Sequence, residues 1–139
     1  LTTIDAHCGI GTFTLPIAKY SQRILGVDLH RNSVNLAIKN AKRNQINNVE
    51  FQTANLAQTR DAKADFIILN PPRAGCWKED LVSVTRILPS HVVYVSCNPT
   101  TLARDLVKLK SVYKIESLDL VDLFPMTYHF ETVAWLQKK

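Results

Sequence analysis

Val92-Val93-Tyr94-Val95-Ser96-Cys97-Asn98-Pro99-Thr100-Thr101-Leu102-Ala103-Arg104-Asp105 changes its period partway through. Up to Val95 the run is apolar, β-branched or aromatic, the composition of a buried strand. After Cys97 come Asn98, a residue suited to capping a helix, and Pro99, suited to its first turn. Leu102, Leu106 and Leu109 then recur at helical spacing. This predicts a strand that delivers Cys97 to the start of a helix. Open α/β sheets bind their ligands at such strand ends. The partial positive charge of a helix N-terminus favours a thiolate over a thiol, so Cys97 is the first candidate for a reactive residue.

Working outward, the same strand-then-loop grammar repeats. Upstream, Ala64 to Leu69 is an almost unbroken apolar run, the pattern of a parallel strand buried on both faces. It ends in Asn70-Pro71-Pro72-Arg73-Ala74-Gly75, where two prolines stiffen a rim and hold Asn70 toward a pocket. A helix is expected over Lys78 to Leu88. Near the start, a strand over Thr2 to His7 runs into Cys8-Gly9-Ile10-Gly11-Thr12-Phe13. The two glycines allow close backbone approach to a ligand. A helix over Thr14 to Tyr20 tolerates Pro16 only in its first turn. The next strand, Ile24 to Val27, ends in Asp28, placed to accept hydrogen bonds from ribose hydroxyls. The third glycine of a full G-x-G-x-x-G is absent, since position 14 is threonine. From Asn32 to Asn44 the pattern is an amphipathic helix with Val34, Ala37, Ile38 and Ala41 inward. A strand over Val49 to Thr53 follows, then Asn55, which reads equally as an adenine contact or a turn residue. Residues 57–63 read as a polar loop. Downstream, strands are expected over Tyr113 to Leu123 and Phe130 to Leu136. Alternating strands and helices closed by two successive strands specify an α/β, Rossmann-like, doubly wound and mostly parallel sheet with an antiparallel last strand.

Composition narrows the class. The chain has 139 residues, 46% hydrophobic and 21% charged, enough for one domain with its own core. No run approaches the ~20 apolar residues of a transmembrane helix. Three scattered cysteines fit no disulfide framework and no zinc spacing, so a reducing, cytoplasmic setting and no metal are expected. The net charge of +5 is compatible with an anionic partner, but the basic residues are dispersed.

Four blocks in order carry a resemblance. They are Asp5-x-x-Cys8-Gly9-x-Gly11-Thr12, Asn70-Pro71-Pro72-Arg73-x-Gly75, Val95 through Asp105, and Asp122-x-Phe124-Pro125-x-Thr127-x-His129-x-Glu131. Together they resemble the S-adenosylmethionine-dependent RNA uracil-5-methyltransferases of ribosomal and transfer RNA, over essentially the whole chain. The resemblance implies a seven-stranded class I methyltransferase fold. It also implies that residues 1–139 are the catalytic domain of a longer, monomeric protein whose RNA-binding part lies elsewhere. Cys97 would be the nucleophile and Glu131 the general base. Asp5, Gly9, Gly11, Phe13, Asp28, Leu29, Asn55 and Asn70 would line the cofactor. Asn70, Arg73 and Arg104 would meet the RNA, although both arginines could equally pair with local acids. Three departures stand out: Asn70 where the family usually has Asp, His7 where it often has an aromatic, and Met126 where it often has His.

The implied chemistry explains the residue types. C5 of uracil is a weak nucleophile until a thiolate adds to C6 and turns the ring into an enolate. After methylation the C5 proton must leave before the thiolate can, and a carboxylate suits that task. A thiol of ordinary pKa ~8.5 is only a few per cent ionised at neutral pH, so the site is expected to favour the thiolate. Other residues have plainer readings. Glu131 fits the solvent side of a strand, and His129 would orient it or merely pack. Cys8 is expected to pack against cofactor, and Cys76 to be a bystander. A cytosine-5 methyltransferase and a non-catalytic cofactor- or RNA-binding module are the alternative functions. A nicotinamide-dependent dehydrogenase is a more distant one.

Overall fold

The computed structural model describes residues 1–60 and 62–139. Its strands are β1 (Thr2–Ala6), β2 (Arg23–Asp28), β3 (Val49–Thr53), β4 (Phe66–Leu69), β5 (His91–Ser96), β6 (Tyr113–Val121) and β7 (Glu131–Lys138). Its helices are α1 (Thr14–Ile17), α2 (Arg31–Arg43), α3 (Lys78–Ile87) and α4 (Pro99–Leu109). They build one seven-stranded sheet in the order β3-β2-β1-β4-β5-β7-β6. β1 to β5 pair in parallel, and β7 runs antiparallel between β5 and β6. The expected doubly wound sheet is therefore present. The order reverses between β1 and β4, so the loops after those two strands part and leave a crevice between them.

Strand alternation divides the core between two faces. One face presents Ile4, Ala6, Ile67, Leu69, Val92, Tyr94, Ala134 and Leu136, packed with Leu81 and Val84 of α3 and Leu102 and Leu109 of α4. On the other face, the α2 stripe of Val34, Ala37 and Ala41 is buried. Ile38, expected in that stripe, lies 46% exposed instead. The buried stripe of α2 is narrow, and Ile38 falls on its flank.

Local differences from the sequence reading are small and have causes. The first helix tightens into a 3₁₀ turn at Ala18–Tyr20, as short helices often do at their ends. β4 starts at Phe66, directly after Asp65, whose amide donates to the Thr2 carbonyl and whose carboxylate accepts from the Thr2 amide. At the start of the expected polar loop, Leu56–Gln58 forms a 3₁₀ turn, with Leu56, just before the loop, buried. Residue 61 of that loop lies outside the described residues. Among the described residues, no helix is long and apolar enough to cross a membrane.

Candidate active site

The parallel strands β1, β2, β4 and β5 all end at the same edge of the sheet. Because β7 is antiparallel to β5, its first residue, Glu131, reaches that edge too. The ladder runs from His91 opposite Gln137 to Ser96 opposite Thr132. Cys97 and Glu131 are the residues one step beyond that last pair. Cys97 is exposed and Glu131 half-buried. The other two thiols are buried, and burial pushes both Cys8 and Cys76 up to about 12. Cys8 turns down beneath the glycine turn toward Gly26 rather than outward.

Asn98 caps α4 as expected, its side chain accepting from the Thr100 amide at 3.1 Å with Pro99 in the first turn. Ser96 ties the bend between strand and helix, donating from Oγ to the Asn98 carbonyl and accepting from the Asn98 amide. The backbone at Cys97 is therefore held on both sides.

The β1–α1 turn forms the second wall. Gly9 has φ +55°, and a Cβ placed there would meet nothing within 4 Å. The turn thus borders open space on the side where a ligand would approach. The Gly9 amide donates to Asp28 Oδ2 at 3.0 Å, and the His30 amide to Asp28 Oδ1 at 2.8 Å. Oδ1 also lies 3.1 Å from His30 Nδ1, so Oδ2 is the oxygen that keeps a further lone pair for a ribose hydroxyl. Asp5 is fully buried. Its Oδ2 accepts from Thr14 Oγ1 at 2.5 Å, and its Oδ1 has no partner among the described residues. Burial raises its pKa from 3.8 to about 7, against the lowering effect of the Thr14 bonds. Phe13 is half-buried at the head of α1 and Leu29 is 52% exposed after β2. Asn55 caps the 3₁₀ turn reciprocally with Gln58, so its turn reading is realised while its amide nitrogen stays available. This donor set fits an adenosine cofactor: an acid at the end of β2, an open glycine turn and an orphaned buried carboxyl oxygen. A separate cavity of about 590 Å³, lined by Thr2, Arg23, Glu50 and Arg60, lies at the strand starts, away from these residues.

Asn70, half-buried at the end of β4, begins the third wall. Its rim is bound to α4 through Arg73, Ala74 and Cys76, each by a backbone group. The expected substrate residue Arg104 is turned toward the protein, with Nε 2.9 Å from Asp105 Oδ1 and Nη2 2.9 Å from the Ala74 carbonyl. The Arg73 guanidinium has no protein partner among the described residues. His129 stacks on Tyr128, with ring centroids 4.4 Å apart, and edges onto Phe124 at 6.5 Å, which realises its packing reading.

Sequence reading missed two buried acids. Asp105 is fully buried and receives Tyr94 OH at 2.6 Å and the Cys76 amide at 2.8 Å. Its signal was present: it sits between Leu102 and Leu109 on the buried stripe of α4, where a charge needs a partner. Asp80, fully buried in the first turn of α3, approaches His7 Nε2 at 3.5 Å. Burial raises the carboxyl's pKa and lowers that of the imidazole. Nothing local marks Asp80, because an acid in a first helical turn is ordinary.

Comparison with known proteins places this arrangement. The family model for tRNA (uracil-5-)-methyltransferase matches residues 50–139, and that for the methyltransferase small domain matches residues 2–90. The 23S rRNA (uracil(1939)-C(5))-methyltransferase of Legionella pneumophila strain Lens is 42% identical over 144 residues, covering 97% of this chain and 32% of that protein. The crystal structure of Pyrococcus abyssi tRNA (uracil-54, C5)-methyltransferase in complex with S-adenosyl-L-homocysteine superposes with a TM-score of 0.88 at 35% identity, covering 96% of this chain and 33% of that one. An rRNA methylase from Streptococcus thermophilus, only 14% identical, shares the class I methyltransferase fold at a TM-score of 0.78 over 99% of this chain and 86% of its own. The chain spans 30–33% of the length of the curated relatives it matches.

Proposed function

The chain belongs to the tRNA (uracil-5-)-methyltransferase family, and from that premise we propose that residues 1–139 are the catalytic domain of an S-adenosylmethionine-dependent enzyme that methylates C5 of a uridine in RNA. Ribosomal RNA is the first substrate to test. The relative named for 23S rRNA is 42% identical, against 35% for the one named for tRNA. The observation that carries the reading is the meeting of Cys97 and Glu131 at one edge of the sheet, with Cys97 the exposed thiol of the three.

Asp28, Gly9, Gly11, Phe13, Leu29, Asn55 and Asn70 would hold S-adenosylmethionine, with Asp5 buried behind them, and the cofactor would supply an electrophilic sulfonium methyl. The Cys97 thiolate attacks C6 of the uracil; an S–C6 bond forms and the C5–C6 π pair moves onto C4–O as an enolate. That electron pair returns through C5 to form the new C–C bond to the methyl group, while the methyl–sulfur bond of the sulfonium breaks and its pair stays on sulfur, leaving a neutral thioether. Glu131 then takes the C5 proton, the C5–C6 double bond re-forms, and the S–C6 bond breaks to release Cys97. Asn70 offers an amide that donates to uracil O4 and accepts from N3–H, so base recognition does not need the carboxylate usual in this family.

The test is intact-mass analysis of the full-length protein incubated with S-adenosylmethionine and RNA carrying 5-fluorouridine. Fluorine at C5 cannot leave as a proton, so the reaction stalls with protein and RNA joined. A covalent adduct that disappears in Cys97→Ala is the expected result. No adduct with a cognate RNA, while the cofactor binds, overturns the Cys97 mechanism.

A further inference from the structure

The rim after β4 and the nucleophile after β5 come from separate loops, and one set of contacts joins them. The Arg73 carbonyl accepts from Asn98 Nδ2 at 3.3 Å and from Thr101 Oγ1 at 3.2 Å, the hydroxyl's single proton being shared with the Asn98 carbonyl at 3.1 Å. The Ala74 carbonyl accepts from Arg104 Nη2 at 2.9 Å, and the Cys76 amide donates to Asp105 Oδ2 at 2.8 Å. All four partners lie in the first turns of α4 or its cap, directly after Cys97. Asp105 Oδ2 also receives Tyr94 OH at 2.6 Å, so its carboxylate joins the rim, β5 and α4. Gly75 admits no side chain here. Its φ is +82°, and a Cβ would lie 2.6 Å from Arg104 Nη2 and 2.7 Å from Asp105 Oδ2. The Asn-Pro-Pro-Arg-x-Gly and Thr-Leu-Ala-Arg-Asp blocks are two halves of one joint.

We propose that Arg104 and Asp105, with Thr101, are positioning residues that clamp the Asn70–Gly75 rim to the start of α4 and so hold the base-recognition edge in place over Cys97. Resting on the function proposed above, this assigns the two arginines opposite tasks. Arg104 is spent on the clamp. Arg73, fastened among the described residues only through its carbonyl, keeps its guanidinium for RNA phosphate.

Salt dependence separates these tasks. A phosphate contact contributes about 0.7–1 to the slope of log K against log salt, and a positioning residue contributes nothing. With the full-length protein, 5-fluorouridine RNA and S-adenosylmethionine, Arg104→Ala is expected to slow adduct formation at saturating RNA at least tenfold, with the salt slope of RNA binding unchanged. Arg73→Ala is expected to lower that slope by about 0.7–1. Thr101→Val, close in shape but lacking the hydroxyl, should slow the adduct, and Thr101→Ser should restore it. Should Arg104→Ala fail to fold, the Thr101 pair decides alone. The clamp is overturned if Arg104→Ala lowers the slope while leaving the saturated rate unchanged, or if Thr101→Val and Thr101→Ser both react at the wild-type rate. If the wild type itself forms no adduct, the Cys97 reading fails. Hydrogen exchange at the Cys76 amide then judges the clamp, with at least tenfold acceleration in Arg104→Ala supporting it and no change overturning it.

Discussion

Three thiols in one chain have three different environments, and reactivity follows from them. Cys8 and Cys76 are held neutral by burial up to about pH 12, whereas Cys97 stands exposed at a helix start. Iodoacetamide on the native protein at pH 7.5 is therefore expected to label Cys97 alone, as read by peptide mass mapping. Cys97→Ala should leave the folded protein unlabelled. Asp5 gives the second prediction at this scale. Its folded pKa, about 7, lies above the ordinary 3.8 because burial penalises the charge. The stability linked to this group is thus fully present below about pH 4 and lost as pH rises toward 7. The cost is bounded by roughly 1.4 kcal/mol for each unit by which the pKa is raised. Asp5→Asn should match the wild type in thermal melts at pH 4 and exceed it at pH 8. Equal melting temperatures at both values would show that the carboxyl is solvated.

At the scale of elements, α4 shows how local rules and tertiary demands meet. Asn98 and Pro99 start the helix by capping and geometry alone, and these were legible residue by residue. The same Asn98 amide group also reaches Arg73 on another loop. Asn98→Ala is therefore expected to cost about 1–2 kcal/mol, the cap plus the lost tie, measurable by urea titration. Leu102→Ala on the buried stripe should cost about 2–4 kcal/mol, while Val107→Ala, 58% exposed, should be nearly neutral. For α2, periodicity marked the inward side correctly at Val34, Ala37 and Ala41 but also took in Ile38. Spacing tells which residues share a face, and only the width of the groove decides which of them is covered.

In the molecule as a whole, β7 ties the structure together. It pairs with both β5 and β6, buries Ala134 and Leu136, and carries Glu131 to the site. β6 is an edge strand exposed from Lys114 onward. Native-state hydrogen exchange should therefore be slowest in β1, β4 and β5, slow in β7, and fast along β6 after Tyr113. Protection of β6 equal to that of β5 would contradict this ranking. The alternation of elements, the closing antiparallel pair, the strand-end location of Cys97, Asn70 and Asp28, and the cap of α4 were all determined by the sequence by itself. Each depends on periodicity or on the conformational preference of a few neighbouring residues. The tertiary structure alone decided that β7 lies between β5 and β6, and so that Glu131 comes beside Cys97. It also decided that Arg104 lies against Asp105, and that His7 meets Asp80. These are contacts between residues far apart in the chain, set by how the layers pack, and no local preference encodes them.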